Sequence, residues 1–234
     1  MIASKDNAKF KSWMKLKTKK YRDQTNTFIV HGKTFVDLAR NKGVVEEVVT
    51  TNPEIEGTLI SEQLMQLLKT TETSYDCFAV CKKLDFKRES KNILILDDVQ
   101  NPDNVGAILR SALAFDFLHV VLSTHSADLY NDKTIRASGG ALFDLFVERK
   151  DIYPFIEYKK SLGYQVFGAD AHASANLPKK GEPFILILGN EGQGLNQKTI
   201  EYLDGRLNIQ TKHVESLNVA IAGAILMYEW GKNE

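Results

Sequence analysis

The sequence predicts an α/β protein: a parallel sheet with helices on both faces, preceded by a small N-terminal α/β domain. Three observations predict it. Beyond residue 91, apolar runs alternate with helical patterns, as in βαβ units. Two of the runs, "NILIL" at 92–96 and "FILIL" at 184–188, are wholly or almost wholly apolar, as expected of buried parallel strands. Short stretches rich in Asn and Gly follow those runs, at the carboxyl ends where parallel sheets bind ligands.

The elements follow in order. Residues 9–20, "KFKSWMKLKTKK", place Phe10, Trp13, Leu16 and Met14 toward one helical face, with lysines around them. "TFIVHG" reads as a strand with a glycine stop, "KTFVDLARNKG" as a helix ending at Gly43, and "VVEEVVT" as a strand. "SEQLMQLLKTT" is a helix with Ser61 at its N-cap, and "YDCFAVCKK" a further strand. This gives a domain over 1–85, a charged linker at 86–91 within "LDFKRESKN", and a larger domain over 92–234. There, "NILILDD" is a strand and 104–115 a helix that buries Ile108, Leu109, Ala112 and Leu113. "HVVLS" is a strand, "NDKTIRAS" a helix, and "DIYPFIEYKKSLG" a helix with Pro154 in its first turn. "YQVFGAD", "PFILILGN" and "RLNIQ" are strands. "SLNVAIAGAILMYEWG" is a long closing helix with Ser216 at its N-cap.

Composition excludes several classes. The chain of 234 residues is 43% hydrophobic and 26% charged, as in ordinary globular proteins. Its longest apolar runs are far too short to span a bilayer. The start is basic and lacks the apolar core of a signal peptide, so a cytoplasmic location is expected. Cys77 and Cys81, spaced C-x3-C with no second pair, point to reduced, packed thiols and not to a zinc site. No metal is expected. Net charge is zero, yet residues 1–40 hold ten basic and three acidic residues, a balance of +7 that the remaining 194 offset. A basic end on a neutral chain suits a phosphate-backbone partner, and equally a solvated lysine-rich helix. Lys15, Lys17, Lys19, Lys20 and Arg22 are the candidate RNA contacts.

Three loops stand at strand ends: "NPDNVGAILR", "LGNEGQGL" and "VESLNVA". The second is neither a dinucleotide fingerprint nor a Walker A loop, which disfavours a nucleotide-binding oxidoreductase. Arg110 interrupts the apolar pattern of its helix. It is either the polar face of that helix or a charge aimed at a phosphate or a reacting hydroxyl.

Taken together and in this order, "NPDNVGAILRSA", "ILGNEGQGL" and "ESLNVAIAGAILMYE" resemble the three motifs of the SpoU family of RNA ribose methyltransferases, in the SPOUT superfamily. The resemblance spans 91–234. Residues 1–85, through "KLKTKKYRDQTNTFIVHGKTFVDLA", resemble the family's ribosomal-protein-like substrate-binding domain. It implies a C-terminal trefoil knot, S-adenosylmethionine bound in the knot loops, and a homodimer that completes each site. Periodicity alone would give an unknotted doubly wound sheet. The family's catalytic residues map onto Asn104, Arg110, Glu191, Ser216 and Asn218. Its cofactor contacts map onto Leu188, Gly189, Asn190, Gly194, Ile209, Ser216, Leu217 and Asn218. One departure is visible: the usual Ile-Pro-x-x-Gly before the third motif is "IQTKHVESLN" here, without the proline or the glycine.

Methyl transfer to a ribose 2′-hydroxyl requires alignment of donor and acceptor, and help for an oxygen that is losing its proton. A guanidinium keeps its proton and is a poor base, so Arg110 is read as the group that binds phosphate and stabilises the oxyanion. Asn104 and Asn218 would hold Arg110 or the ribose. Glu191 is the runner-up base, or else a carboxylate satisfying the amides ahead of "LNQKTI". His213 reads as a solvated loop residue. The expected activity is S-adenosylmethionine-dependent 2′-O-methylation of structured RNA, 23S rRNA ahead of tRNA. The alternative is a non-catalytic RNA-binding relative with an altered cofactor loop.

Overall fold

A computed structural model describes residues 1–70, 74–88, 90–171 and 182–231. Glu89 of the expected linker lies outside the described residues. The chain forms two compact units: Met1–Asp85 with Tyr130–Ile135, and Phe86–Leu129 with Arg136–Glu234. The sequence reading had placed 130–135 wholly in the larger domain. Tyr130 explains the difference, because its ring lies 4.5 Å from that of Phe28 and its hydroxyl accepts from the Leu84 amide.

In the first unit, α1 (Ala8–Lys15) and α2 (Lys19–Thr25) replace the single helix expected over 9–20. Asn7 caps α1 through bonds from the Lys9 and Phe10 amides. The chain turns at Leu16, whose carbonyl is held by Arg22 Nη1 at 2.7 Å. Next come β1 (Thr27–His31), α3 (Lys33–Asn41), β2 (Val45–Thr50), β3 (Thr58–Leu59), α4 (Glu62–Leu68) and β4 (Cys77–Lys82). Ser61 caps α4 as expected. The sheet runs β1-β4-β2-β3, antiparallel except for β2 with β3. Phe10, Trp13 and Leu16 pack against Val49, Leu64 and Phe78. Full burial of each such side chain contributes about 1.5–3 kcal/mol. Cys77 and Cys81 are free, buried thiols, and burial pushes them up to about 11 and about 12, far from reactive.

The second unit holds β5 (Asn92–Leu96), α5 (Pro102–Ala114), β6 (His119–Leu122), α6 (Asp132–Ala137, shared with the first unit), a 3-10 turn (Ala141–Phe143) and β7 (Phe146–Arg149). It continues with α7 (Ile152–Ser161), β8 (Gln165–Ala169), β9 (Phe184–Leu188), α8 (Gln197–Ile200), β10 (Gly205–Leu207) and α9 (Val219–Gly231). Its six strands run β10-β8-β9-β5-β6-β7, with every pair parallel. The parallel sheet was expected. The strands β3 and β7 were not read from the sequence, because two to four residues carry too little periodicity. Ile93, Ile95, Ile185 and Ile187 pack with Ile152 and Ile156 of α7 on one face. On α5, Val105, Ile108, Leu109 and Ala112 are buried, whereas Leu113 is only partly so.

Candidate functional site: three loops joined by one chain of hydrogen bonds

The strand order reverses between β5 and β9, and the loops after these neighbouring strands form the core of the site. After β5 the chain enters α5 with Asn101 as N-cap and Pro102 in the first turn, where a missing N–H costs nothing. After β9, Asn190 and Gly194 exchange two backbone bonds of 2.9 Å. The Asn190 side chain accepts from the Gly192 and Gln193 amides and donates to the Asp98 carbonyl. Gly189 must be glycine here, since a Cβ on it would stand 2.4 Å from the Gly194 oxygen.

Glu191 joins the two loops. Its carboxylate accepts from the Gln100 amide at 3.2 Å, the Asn101 amide at 3.0 Å and Asn104 Nδ2 at 3.0 Å. Asn104 Oδ1 accepts from Asn218 Nδ2 at 3.0 Å, and Asn218 Oδ1 accepts from the Ala220 amide at 2.9 Å. An ionised carboxylate only accepts, so the orientation of each amide down the chain follows from the one before it. Partial burial would raise the Glu191 carboxyl. The bonds from Asn104 and from the Asn101 and Gln100 amides outweigh that and hold it below the usual range.

Two expectations are corrected here. Asn218, not Ser216, caps the last helix, because α9 begins at Val219 and its free amides reach Asn218 Oδ1. Glu191 does satisfy backbone donors, but those leading into α5. The helix after "LNQ" has its own cap in Asn196.

Arg110 is exposed on α5, and among the described residues it has no hydrogen-bond or ion-pair partner. Asn104 and Asn218 bond to each other and not to it. Its guanidinium lies beside Gly139, where an added Cβ would meet Nη1 at 3.5 Å.

Beside this relay lies a cavity of about 450 Å³. Of the residues expected at the cofactor, Leu188, Gly189, Asn190, Gly194, Ile209, Ser216 and Leu217 line it. Asn218 does not, being committed to the relay. Sequence reasoning missed Asp170 and Glu215, which also line the cavity. Asp170 ends the strand "YQVFGAD", and no motif marks it. The loop without its proline and glycine is closed by Thr211 Oγ1 donating to the Val214 carbonyl at 2.6 Å. No residue from 205 to 218 has a positive φ, so the turn needs no glycine. His213 is exposed.

The candidate RNA contacts fare unevenly. Lys15 and Lys20 are exposed, Lys15 lying over the Tyr21 ring. Lys17 Nζ caps the end of α4 at the Leu67 and Lys69 carbonyls, and Lys19 is paired with Asp23 at 2.6 Å. Arg22 is only 6% exposed and its guanidinium is spent on the Leu16 carbonyl, so it is a structural residue and not a surface contact. Among the described residues, no group of three or more His, Cys, Asp or Glu could hold a metal ion, and no helix is long and apolar enough to cross a membrane.

Comparison with known proteins matches residues 91–228 to the SpoU rRNA Methylase family and residues 7–88 to the MRM3-like substrate binding domain. The chain is 35% identical to the 23S rRNA (guanosine(2553)-2′-O)-methyltransferase RlmP of Bacillus subtilis, with 97% of each chain covered. The structure of AviRb from Streptomyces viridochromogenes, in complex with AdoMet, shares the fold with a TM-score of 0.85 at 24% identity, over 97% of each chain. A TrmH-family protein from Porphyromonas gingivalis superimposes with a TM-score of 0.82 at 32% identity, over 96% of this chain and 97% of that one.

Proposed function

The chain belongs to the SpoU rRNA methylase family, and on that premise we propose that it transfers a methyl group from S-adenosylmethionine to a ribose 2′-hydroxyl of 23S rRNA. One observation carries the reading: the cavity beside the Glu191–Asn104–Asn218 relay suits this donor in size and in charge. Its volume of about 450 Å³ falls in the range of about 300–1,000 Å³ typical of cofactor sites. The carboxylates of Asp170, Glu191 and Glu215 line it and, among the described residues, no Lys or Arg does, although Arg206 pairs with Asp170 at 3.1 Å; the remaining negative charge favours a cationic ligand. Gly189 lines the cavity with its backbone, its Cβ side being filled by Gly194, and Leu188, Ile209 and Leu217 supply apolar walls.

Bound there, the cofactor supplies a methyl group already activated on a sulfonium. The chain's own residues then have two tasks. Arg110, a charged fork without a protein partner among the described residues, holds the phosphate beside the target ribose and stabilises charge developing on the 2′-oxygen. Glu191 positions Asn104. A carboxylate with three donors and a depressed pKa is a weak base, so the runner-up role of base is not supported. Asn104 and Asn218 fix the wall between donor and acceptor, and Ser216 faces the donor.

Ribosomal RNA as the substrate is supported by the named activity of the Bacillus relative and by the match to a substrate-binding domain. Of the five candidate contacts, Lys15 and Lys20 are the ones that stay exposed without an ion-pair partner among the described residues, Lys15 lying over the Tyr21 ring. A homodimer is supported by α9, where Ile221, Ile225 and Tyr228 form a stripe 54%, 37% and 46% exposed. Gly223 and Ala220 of the same helix face inward, Gly223 packing on Leu188. The C-terminal trefoil knot and a cytoplasmic location belong to the same proposal, on family membership.

The test is to map ribose methylation in 23S rRNA and tRNA from cells with and without the gene, then to restore the lost mark with purified chain and S-adenosylmethionine. A single restored 23S mark is the expected result. A mark restored only in tRNA moves the substrate, and no lost mark with no cofactor heat in calorimetry favours the non-catalytic alternative.

A further inference from the structure

We infer that Arg149 is a positioning residue for methyl transfer: it clamps the loop 123–127, and that loop fixes the segment carrying Asn101 and Asn104. The inference rests on the reaction proposed above, and its geometry is independent of it.

Arg149 ends the edge strand β7. Glu148 and Lys150 point to the opposite face, where they pair with each other and Glu148 with His119, as alternation along a strand requires. The guanidinium of Arg149 gathers four backbone carbonyls. Nη1 lies 2.6 Å from that of Ser123, 3.1 Å from Thr124 and 2.7 Å from Ser126, and Nη2 lies 2.5 Å from Ala127. Four carbonyl dipoles converging on one point repel each other, and a planar cation with a fan of donors is what holds them together.

The other side of the same loop is bonded to the segment that leaves β5. Ser123 N and Ser126 Oγ donate to the Leu96 carbonyl, the Asp98 amide donates to Ser123 Oγ at 2.9 Å, and the Ala127 amide donates to the Val99 carbonyl at 2.8 Å. Asp98 has φ +63°, a left-handed conformation that only fixed surroundings keep populated in a residue with a side chain. Its carbonyl accepts from Asn190 Nδ2 at 2.9 Å, and the amides of Gln100 and Asn101, two and three residues on, are bound to Glu191. Asp98 is thus pinned from both sides: by the clamped loop at its amide and by the cofactor-side loop at its carbonyl. Loosening of the clamp shifts Asn101, the N-cap of α5, and with it Asn104 and Arg110.

The test compares wild type with Arg149→Lys and Ser123→Ala. Lysine keeps the charge but presents no planar fork, and alanine removes the acceptor of the Asp98 amide together with the Ser123–Ser126 hydroxyl contact, leaving the Arg149 clamp in place. Since sub-ångström misplacement of a reacting group is costly, Arg149→Lys should lower single-turnover methyl transfer by about tenfold or more, with cofactor Kd within about threefold of wild type. Ser123→Ala should move both readouts in the same direction by less. Hydrogen exchange should accelerate at the amides of Asp98, Gln100, Asn101 and Ala127, while the central strands β5 and β9 stay protected. Turnover within twofold of wild type, or protection lost evenly across the sheet, overturns the inference. If wild type itself transfers no methyl group, the proposed reaction fails, and the exchange pattern at Asp98 still decides the clamp.

Discussion

Glu191 accepts a 3.0 Å hydrogen bond from the Asn104 amide, and that contact fixes which way both asparagines of the relay point. With Asn104 Nδ2 committed to the carboxylate, Asn104 Oδ1 must face Asn218, and Asn218 Oδ1 must face the amides of α9. Glu191→Gln brings an NH2 group into a site filled by donors, which forces a flip or a lost bond. Turnover should fall by about a hundredfold, the scale of losing one preorganised group, with cofactor affinity less affected. A pH–rate profile separates the roles. For a positioning Glu191 the acidic limb persists unchanged in the variant, and disappearance of a limb would show that Glu191 is the base after all.

Arg110→Ala should abolish function without touching stability. The side chain is exposed and unpartnered among the described residues, so Tm should hold, with a free-energy change within about 0.5 kcal/mol. Single-turnover transfer should fall by about a hundred- to a thousandfold, since an oxyanion donor is removed. Arg110→Lys should rescue little, for want of the planar fork. Near-normal turnover would reduce Arg110 to the polar face of α5.

Ile221, Ile225 and Tyr228 should vanish into a partner surface. Ile225→Lys places a charge in the middle of that stripe, where burial of an unpaired ammonium is costly. Light scattering should show dimers for wild type and monomers for the variant, with turnover lost alongside. A wild-type monomer with full activity would end the shared-site reading.

Asp97 gives stability a pH signature. It is nearly buried at the end of β5 and accepts from Thr199 Oγ1 at 2.6 Å. Burial pushes its carboxyl above the ordinary 3.8, against the pull of the Thr199 bond. The folded chain therefore holds this proton more tightly than the unfolded one. Stability from this group is fully present below 3.8 and is lost as pH rises through the folded pKa. Asp97→Asn keeps an acceptor for Thr199 and removes the titration. Its Tm should exceed that of wild type near neutral pH and above, with the advantage fading in acid. An advantage that does not change with pH would contradict the assignment.

The sequence by itself determined the parallel sheet, because "FILIL" and all of "NILIL" after Asn92 are apolar, and a sheet covered on both faces buries them. Which residues would meet at the site came from the resemblance to the three SpoU motifs and not from patterning, since nothing in the sequence makes β5 and β9 neighbours. Tertiary structure alone decided what each of them does. The relay joins residues 87 to 114 positions apart, so the sequence could not tell that Glu191 serves the entrance to α5; the α9 cap is local, and Ser216 and Asn218 are both good N-cap residues, so only the start of the helix decided for Asn218. Charge was legible as a total but not as a surface: Arg22 counted toward the basic end, yet it is buried on the Leu16 carbonyl, because desolvation and capping are properties of neighbours. Arg149 carried no signal at all. Its role depends on four carbonyls converging on one point, and a converging backbone has no sequence pattern.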